Sequence, residues 1–364
     1  MGNISGKSLV EKYNDFLDPC VEVIAAGEEI PAGEGVYLER VEVVSSVDME
    51  PDMAVLVYRA DKFSEKDFSH LEKYLEVGQK MEIKTGYGDK VSRIFLGYLH
   101  EVEAVDFMQD YVEYTLICLD VKGLMKKNSV FQISGAKKVQ QILNDILKEN
   151  CYADFLEGKR VSALPGELNQ DCVIRGETHY DWLCSLAGYL DYEFFCGRGE
   201  LIFRKSRSAG ADFLELAVEY GLQEVRGTVT MTEQTGCIQI CGYNRKDEKL
   251  LGKADWPGVP GPFGKKMKER LKGYALTFPD MELETGEGAA QRAKALMSRR
   301  LGRCARMKAV TIGIPELVPG ICAEINAGVV SSLSGRIYVE EVRHLLDENG
   351  YRTTAEGARV KAGQ

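Results

Sequence analysis

Two stretches of this 364-residue chain repeat each other at nearly constant spacing. Gly78-x-x-x-Glu82-Ile83 matches Gly320-x-x-x-Glu324-Ile325 at an offset of 242 residues. Glu101-Val102 with Tyr111 matches Glu341-Val342 with Tyr351 at an offset of 240, and each group follows a glycine, Gly97 or Gly335. One such match is chance. Several in the same order, on segments that read as strands, point to a duplicated β-domain. The chain must then carry two similar units at its ends and something different between them.

The local patterns agree. Val36–Val44, Ala54–Tyr58, Lys80–Thr85, Ile94–Val105 and Tyr111–Leu119 are β-branched or aromatic-rich and bounded by turn formers. Ser64-Glu65-Lys66-Asp67 has a capping-box pattern and opens a short helical stretch between them. These elements predict a small antiparallel barrel over residues 1–125. The period then changes. Val139, Ile142, Leu143, Ile146 and Leu147 share one helical face, with Ser134 as the expected N-cap. Thr178 opens a second helix through Asp181, and a hairpin turns at Gly197-Arg198-Gly199. Residues 126–212 therefore read as an α/β accessory domain. Strands resume at Glu224–Thr232 and Gly236–Tyr243, so 213–244 is the first part of a second barrel. A Pro/Gly-rich basic insertion with a helix occupies 245–304, and Lys308–Ile314, Ile321–Asn326 and Arg336–His344 complete the second barrel over 305–350. Residues 351–364 read as a C-terminal tail. The expected fold class is thus mixed β and α/β, two related antiparallel β-barrels with an α/β accessory domain between and within them.

Charge divides along the same lines. Residues 1–120 carry 11 basic and 25 acidic side chains, whereas residues 245–364 carry 21 and 15. An acidic end and a basic end suit head-to-tail subunit contacts, or are simply two solvated faces. The overall charge of −10 argues against a general nucleic-acid binder, so no specific nucleic-acid binding is expected. No run approaches the ~18–20 apolar residues of a membrane span. The first twenty residues lack a signal peptide's apolar core. A soluble chain made in a reducing cytosol fits both, and its ten cysteines, with no C-x-x-C pair, read as buried structural thiols. Cys237 and Cys241 would share one strand face, with no histidine near in sequence to complete a metal site.

Catalytic patterns fail on their mechanics. Gly2-Asn3-Ile4-Ser5-Gly6-Lys7-Ser8 is one residue short of a phosphate loop and follows no strand. Glu340-Glu341 and Glu101/Glu103 invite a carboxylate-pair reading, yet adjacent strand residues point to opposite faces, so Glu340 and Glu341 cannot converge, and a solvated barrel exterior is the expected place for these carboxylates. His179 sits in a capping box, where it would face solvent or pair locally, and His344 ends a strand; neither has a base–nucleophile set nearby. No catalytic, cofactor-binding or metal residue is therefore assigned, and the chain reads as a non-enzyme. Trp182 is expected in a core, while Trp256 suits partner docking and loop packing equally. The cations Lys265, Lys266, Lys268, Arg270 and Lys272, beside Phe263 and Tyr274, read first as a solvated amphipathic face.

A family resemblance then covers nearly the whole chain in order. Leu75-Glu76-Val77-Gly78-Gln79, Met81–Tyr87 and Phe95-Leu96-Gly97 resemble the first β-domain of phage late control gene D proteins, the tail baseplate hubs. These in turn are similar to the N-terminal part of VgrG-type spike proteins. Gly176 to Ala187 resembles the family's E-[ST]-x-x-[DE]-[FW]-L-x-x-L-A stretch, and Gly199-Glu200-Leu201-Ile202-Phe203 its G-x-L-x-F. Gly242-Tyr243-Asn244 with Gly252-Lys253-Ala254, and Gly313-Ile314-Pro315-Glu316-Leu317-Val318-Pro319-Gly320, resemble two later features. The resemblance implies a structural homotrimer whose two barrels per subunit form a pseudo-six-fold ring. That ring joins a hexameric tail tube protein to a trimeric spike (needle) protein, among other baseplate proteins, in a contractile tail or injection system. It also implies assembly in the bacterial cytoplasm and residence in the tail baseplate of a virion or injection particle. VgrG-type chains continue into a spike; here the sequence stops, so the spike is expected to be a separate polypeptide. A tail-associated peptidoglycan hydrolase is the alternative, and a carbohydrate-binding module a third.

Overall fold

The computed structural model describes residues 4–30, 32–33, 35–62, 71–108, 110–132, 138–164, 174–208, 213–242, 249–280, 283 and 285–360. A short helix α1 (Gly6–Lys12) precedes seven strands: β1 (Pro19–Ala25), β2 (Glu28–Glu29), β3 (Val36–Ser46), β4 (Met53–Asp61), β5 (Lys80–Tyr87), β6 (Lys90–Phe107) and β7 (Tyr111–Leu119). They pair antiparallel in the order β2-β1-β5-β6-β7-β4-β3. Alternation decides which face is covered. Ala54, Leu56, Tyr58 and Ala60 of β4, and Val112, Tyr114, Leu116 and Cys118 of β7, are buried together in one core. The capping-box residues Ser64–Asp67 lie outside the described residues.

The middle section packs a separate core. It comprises α2 (Val121–Met125), β8 (Ser129–Gln132), α3 (Val139–Ile146), β9 (Gly158–Val161), β10 (Ile174–Thr178), α4 (His179–Leu190), β11 (Tyr192–Gly197) and β12 (Glu200–Lys205). β11, β12 and β9 form a small sheet with β9 parallel to β12, and β8 pairs with β10. The expected apolar stripe of α3 is buried, at Val139, Ile142, Leu143 and Ile146. Its N-terminus is closed by the Gln141 side chain accepting from Lys138 N at 3.0 Å; Ser134, the expected cap, lies outside the described residues. Thr178 caps α4, its hydroxyl accepting from Asp181 N at 3.0 Å. Thr178→Ala should therefore cost about 1 kcal/mol in urea denaturation, with an unchanged slope. A cost near zero would mean that tertiary packing alone holds that first turn.

The last third contains β13 (Phe213–Ala217), β14 (Leu222–Val229), β15 (Cys237–Gly242), β16 (Leu250–Asp255), α5 (Met267–Leu271), β17 (Ala275–Pro279), α6 (Gly286–Gly302), β18 (Ala305–Ile312), β19 (Cys322–Asn326), β20 (Gly335–Asp347) and β21 (Gly350–Arg359). Three expectations change here. β15 was expected in the second barrel, but it is the centre of a separate sheet ordered β16-β15-β17. That sheet packs under α6, so the basic insertion is a folded unit with its own core around Ile238, Ile240, Trp256 and Ala293. The approach is close: a Cβ on Gly252 would sit 2.0 Å from the Ala289 backbone. The expected tail begins as a central strand, since β21 lies between β18 and β20. Its inward residues Tyr351, Thr353 and Ala355 are buried but mostly small or polar, so strand composition does not betray it.

The third change concerns closure. No closed barrel forms among the described residues. β3 pairs with β20 instead, and thirteen strands make one sheet. Within that sheet the first unit runs β1-β5-β6-β7-β4-β3 and the second β13-β19-β20-β21-β18-β14. β1 is antiparallel to β5, whereas β13 is parallel to β19; the remaining pairings match. A bulge at His100 between β6 and β7 has its counterpart at Glu340 between β20 and β21.

The repeated glycines are explained by this geometry. Gly78 (φ 97°) and Gly320 (φ 82°) both adopt the left-handed conformation that favours glycine. Gly78 N donates to Leu99 O at 2.7 Å, and Gly320 N to Val339 O at 2.8 Å. One match shifts. Phe107 pairs with Tyr111, but Asp347 pairs with Gly350, so the second hairpin loop is one residue shorter. Gly350, not Tyr351, therefore corresponds to Tyr111. Burial agrees, because Tyr351 is buried and Tyr111 is only half-buried.

Candidate functional site

The residues with enzymatic overtones are held in structural roles. Glu340 is clamped by Arg207 at 3.0 Å and Arg306 at 2.6 Å, while Glu341, Glu101 and Glu103 are exposed on strands. These carboxylates do not converge on one point. His179, expected to face solvent or pair locally, is instead buried, its Nδ1 2.9 Å from the hydroxyl of Tyr152, 27 residues away. The reason is that β10 leads straight into α4, which presses the first helical turn against Tyr152. Burial holds the His179 imidazole below the ordinary histidine range. Trp182 sits in the accessory core. Trp256 is 3 % exposed and its indole N–H donates to Gln234 Oε1 at 3.2 Å, so it packs its own loop and is not free to dock. Met267 and Leu271 anchor α5 while Lys265, Lys266, Lys268, Arg270 and Lys272 face solvent. Ser5 of the phosphate-loop look-alike caps α1, accepting from Ser8 N at 3.2 Å. Cys237 is buried and Cys241 half-buried; Cys172 lies outside the described residues. Among the described residues, no group of three or more His, Cys, Asp or Glu side chains could hold a metal ion.

What the tertiary structure does assemble is a seam between the two β units. β3 and β20 pair from Glu341 with Ser46 to Leu346 with Val41. Diagonally across it, Arg343 forms an ion pair with Glu42. Behind it, the loop from Gly313 to Gly320 acts as a buried strap. Tyr87 of the first unit donates to Gly313 O at 2.8 Å, and Tyr13 to Glu316 Oε1 at 2.7 Å. Lys12 donates to the same carboxylate at 2.5 Å. From the second unit, Thr353 Oγ1 accepts from Ile314 N at 2.9 Å. From the accessory hairpin, Arg198 donates to Pro315 O, and Arg204 to Gly320 O at 2.6 Å. Three parts of the chain thus meet on eight residues.

The core of that seam is aromatic and hydrogen-bonded. The rings of Tyr13, Phe16, Tyr87 and Tyr351 form a chain with centroid spacings of 5.3 to 5.9 Å. Thr85 bonds the Tyr351 hydroxyl at 2.8 Å, which in turn reaches His344 Nδ1 at 2.9 Å. His344 is wholly buried, and desolvation, with the nearby Arg198 charge, pushes its imidazole down to about 3. The sequence marks the strap, with Glu316 in it, and places Tyr87 and Arg198 in motifs, but it does not mark Tyr13 or show that these groups meet. The signal was there only as motif order, because their partners lie 100 to 300 residues away. A cleft of about 420 Å³ flanks the strap, lined by Arg160, Phe195, Arg198 and Arg204. Arg160 pairs with Glu200 and Arg204 with Glu193, so these two cations are already neutralised.

No protein-family profile and no characterised protein matches the sequence. Solved structures do match in three dimensions. A 43 kDa tail protein of prophage MuSo2 from Shewanella oneidensis is 15 % identical with a TM-score of 0.70, over 94 % of this chain and 98 % of that one. A tail protein from Neisseria meningitidis MC58 is 12 % identical with a TM-score of 0.68, over 94 % and 97 %. An E. coli type VI secretion component, described as similar to the T4 tail proteins gp27 and gp5, is 11 % identical with a TM-score of 0.59. It is matched over 94 % of this chain and 77 % of its own. At these identities the common property is the arrangement of the backbone. This chain has the fold of phage tail proteins.

Proposed function

We propose that the chain is a structural baseplate hub of a contractile phage tail or phage-like injection system, without catalytic activity of its own. In this reading it is a homotrimer that joins a hexameric tail tube to a separate trimeric spike. One observation carries the proposal: the two β units of the chain repeat the same strand order and are already joined edge to edge at the β3–β20 seam. Two similar units in each of three subunits present six similar faces, which is what a match between six-fold and three-fold partners requires. The α/β section between the units and the small β15–β17 unit would project from such a ring as contact elements for other baseplate proteins. The second unit then comprises 213–236 and 305–359, with 237–304 as a separate insertion.

Light scattering on the purified chain, alone and with its spike protein, tests this. A mass three times the 40.5 kDa chain is expected in at least one condition. A strict monomer in both would overturn the ring. Because the first third of the chain is acidic and the last third basic, the assembled form should loosen as salt rises from 0.05 to 0.5 M, values set by the range over which screening changes most. Salt indifference would leave the charge division unexplained.

A further inference from the structure

Among the described residues, one backbone edge in the sheet is bare where its counterpart is covered. The edge of β20 that faces away from β21 carries β19 over Gly335–Tyr338 and β3 over Glu341–Leu346. The same edge of β6 carries β5 over Lys90–Tyr98. Among the described residues, no strand pairs with that edge over Glu101–Asp106. Glu101, Glu103, Ala104, Val105 and Asp106 are exposed. An extended segment with unpaired N–H and C=O groups is a template for another strand. The strand that corresponds to β3 is β14, which ends the sheet on the other side and exposes Gln223, Glu224, Arg226, Gly227 and Thr228.

We propose that β14 of one copy pairs with the Glu101–Asp106 edge of a second copy, in the register β3 uses on β20. This rests on the trimeric reading above and names its subunit contact. The register follows from the repeat. Across the first unit, Leu99, Cys118, Ala54 and Val43 stand in one row of paired residues. Across the second, the corresponding row is Val339, Gly357, Met307 and Gly227. Val43 thus corresponds to Gly227, and His344, which faces Val43, corresponds to Ala104. Ala104 then faces Gly227, Glu103 faces Thr228 and Val105 faces Arg226. The small pair at the centre lets the backbones approach.

Charge supports the same register. At the internal seam the diagonal ion pair is Arg343 with Glu42. Carried across, Arg343 becomes Glu103 and Glu42 becomes Arg226. The signs are exchanged while complementarity is kept, so the contact also disfavours a one-residue slip, which would turn these side chains to opposite faces. Three such contacts alternating with three internal seams would continue the sheet around a ring.

Full-length protein carrying Glu103→Cys with Thr228→Cys tests the register directly. Mild oxidation should give covalent dimers and trimers on a non-reducing denaturing gel, above the background of each single variant. Glu103→Cys with Gly227→Cys, whose side chains lie on opposite faces, should stay at that background. In parallel, Glu103→Arg and Arg226→Glu should each raise the concentration of half-assembly roughly tenfold, and the double exchange should restore it. All these positions are exposed, so melting temperatures equal to the parent's establish that the variants fold. A trimer by light scattering that gives no Glu103–Thr228 cross-link overturns this contact and leaves the hub reading standing. A monomer alone and with its spike protein overturns both.

Discussion

Lys122→Met is expected to lower the stability of the chain by about 3–5 kcal/mol, measured as the urea midpoint at constant slope. Lys122 is fully buried beside Asp52 at 3.3 Å and Asp120 at 3.5 Å, both also buried, and it donates to Glu50 O at 2.6 Å. Burial works against its charge, but Asp120 and Asp52 outweigh that and hold the ammonium above the ordinary lysine range. Without it, two carboxylates face each other in a dry site, which is what makes the loss large. The cluster ties the start of β4 and the end of β7 to α2, where the accessory section begins. Adding Asp52→Asn and Asp120→Asn to Lys122→Met should recover most of the loss, since asparagine also caps a helix well. A single Lys122→Met change within about 1 kcal/mol of the parent would mean that the carboxylates carry no charge to be balanced.

Acid should act through His344. Its folded value of about 3 lies below the ordinary unfolded value of ~6.5, so its stabilisation is complete above pH 6.5 and is lost as pH falls toward 3. By pH 4 the loss amounts to on the order of 3 kcal/mol. Its ring also bonds the Leu317 backbone, which leaves the single Nδ1 lone pair to the Tyr351 and Thr353 hydroxyls that lie 2.9 and 3.0 Å away; protonation breaks that arrangement beside the Arg198 charge. Buried carboxyls pull the other way, with Asp120 and Glu193 also raised by burial. Burial pushes Asp52 up to about 7 and Asp191 up to about 6. Both favour their protonated forms in the fold, so each adds stability as pH falls from those values toward ~3.9. The histidine's share is therefore the difference between parent and His344→Asn profiles. Between pH 7 and 4 the parent should lose on the order of 3 kcal/mol more than the variant. Parallel profiles would show that the seam tolerates a charged imidazole.

Particular residues show what could be read in advance. Gly78 and Gly320, nine strands of the main sheet and the Thr178-capped helix were legible because each depends on neighbours in sequence: a left-handed φ, an alternation of period two, a cap three residues away. The strand Gly350–Arg359 was not, because its inward positions are alanine, threonine and a single tyrosine; its burial comes from lying between two other strands. Strand Cys237–Gly242 had the right composition but the wrong partners, since pattern specifies that a strand has a buried face and not which sheet supplies the cover. The surroundings of His179 and the choice between docking and packing at Trp256 were not readable for the same reason: each is enclosed by residues more than twenty positions away.

The sequence by itself determined that two similar β units flank an α/β section, because glycine conformation, side-chain alternation and helix capping are local and leave local marks. Only the tertiary structure decided that the units join through β3 and β20 into one sheet instead of closing separately, and that one strap gathers Tyr13, Tyr87, Arg198 and His344. Strand edges recognise one another through backbone N–H and C=O groups, which every residue but proline shares. A junction built from them carries almost no side-chain signature, and it becomes visible only once the strands are placed.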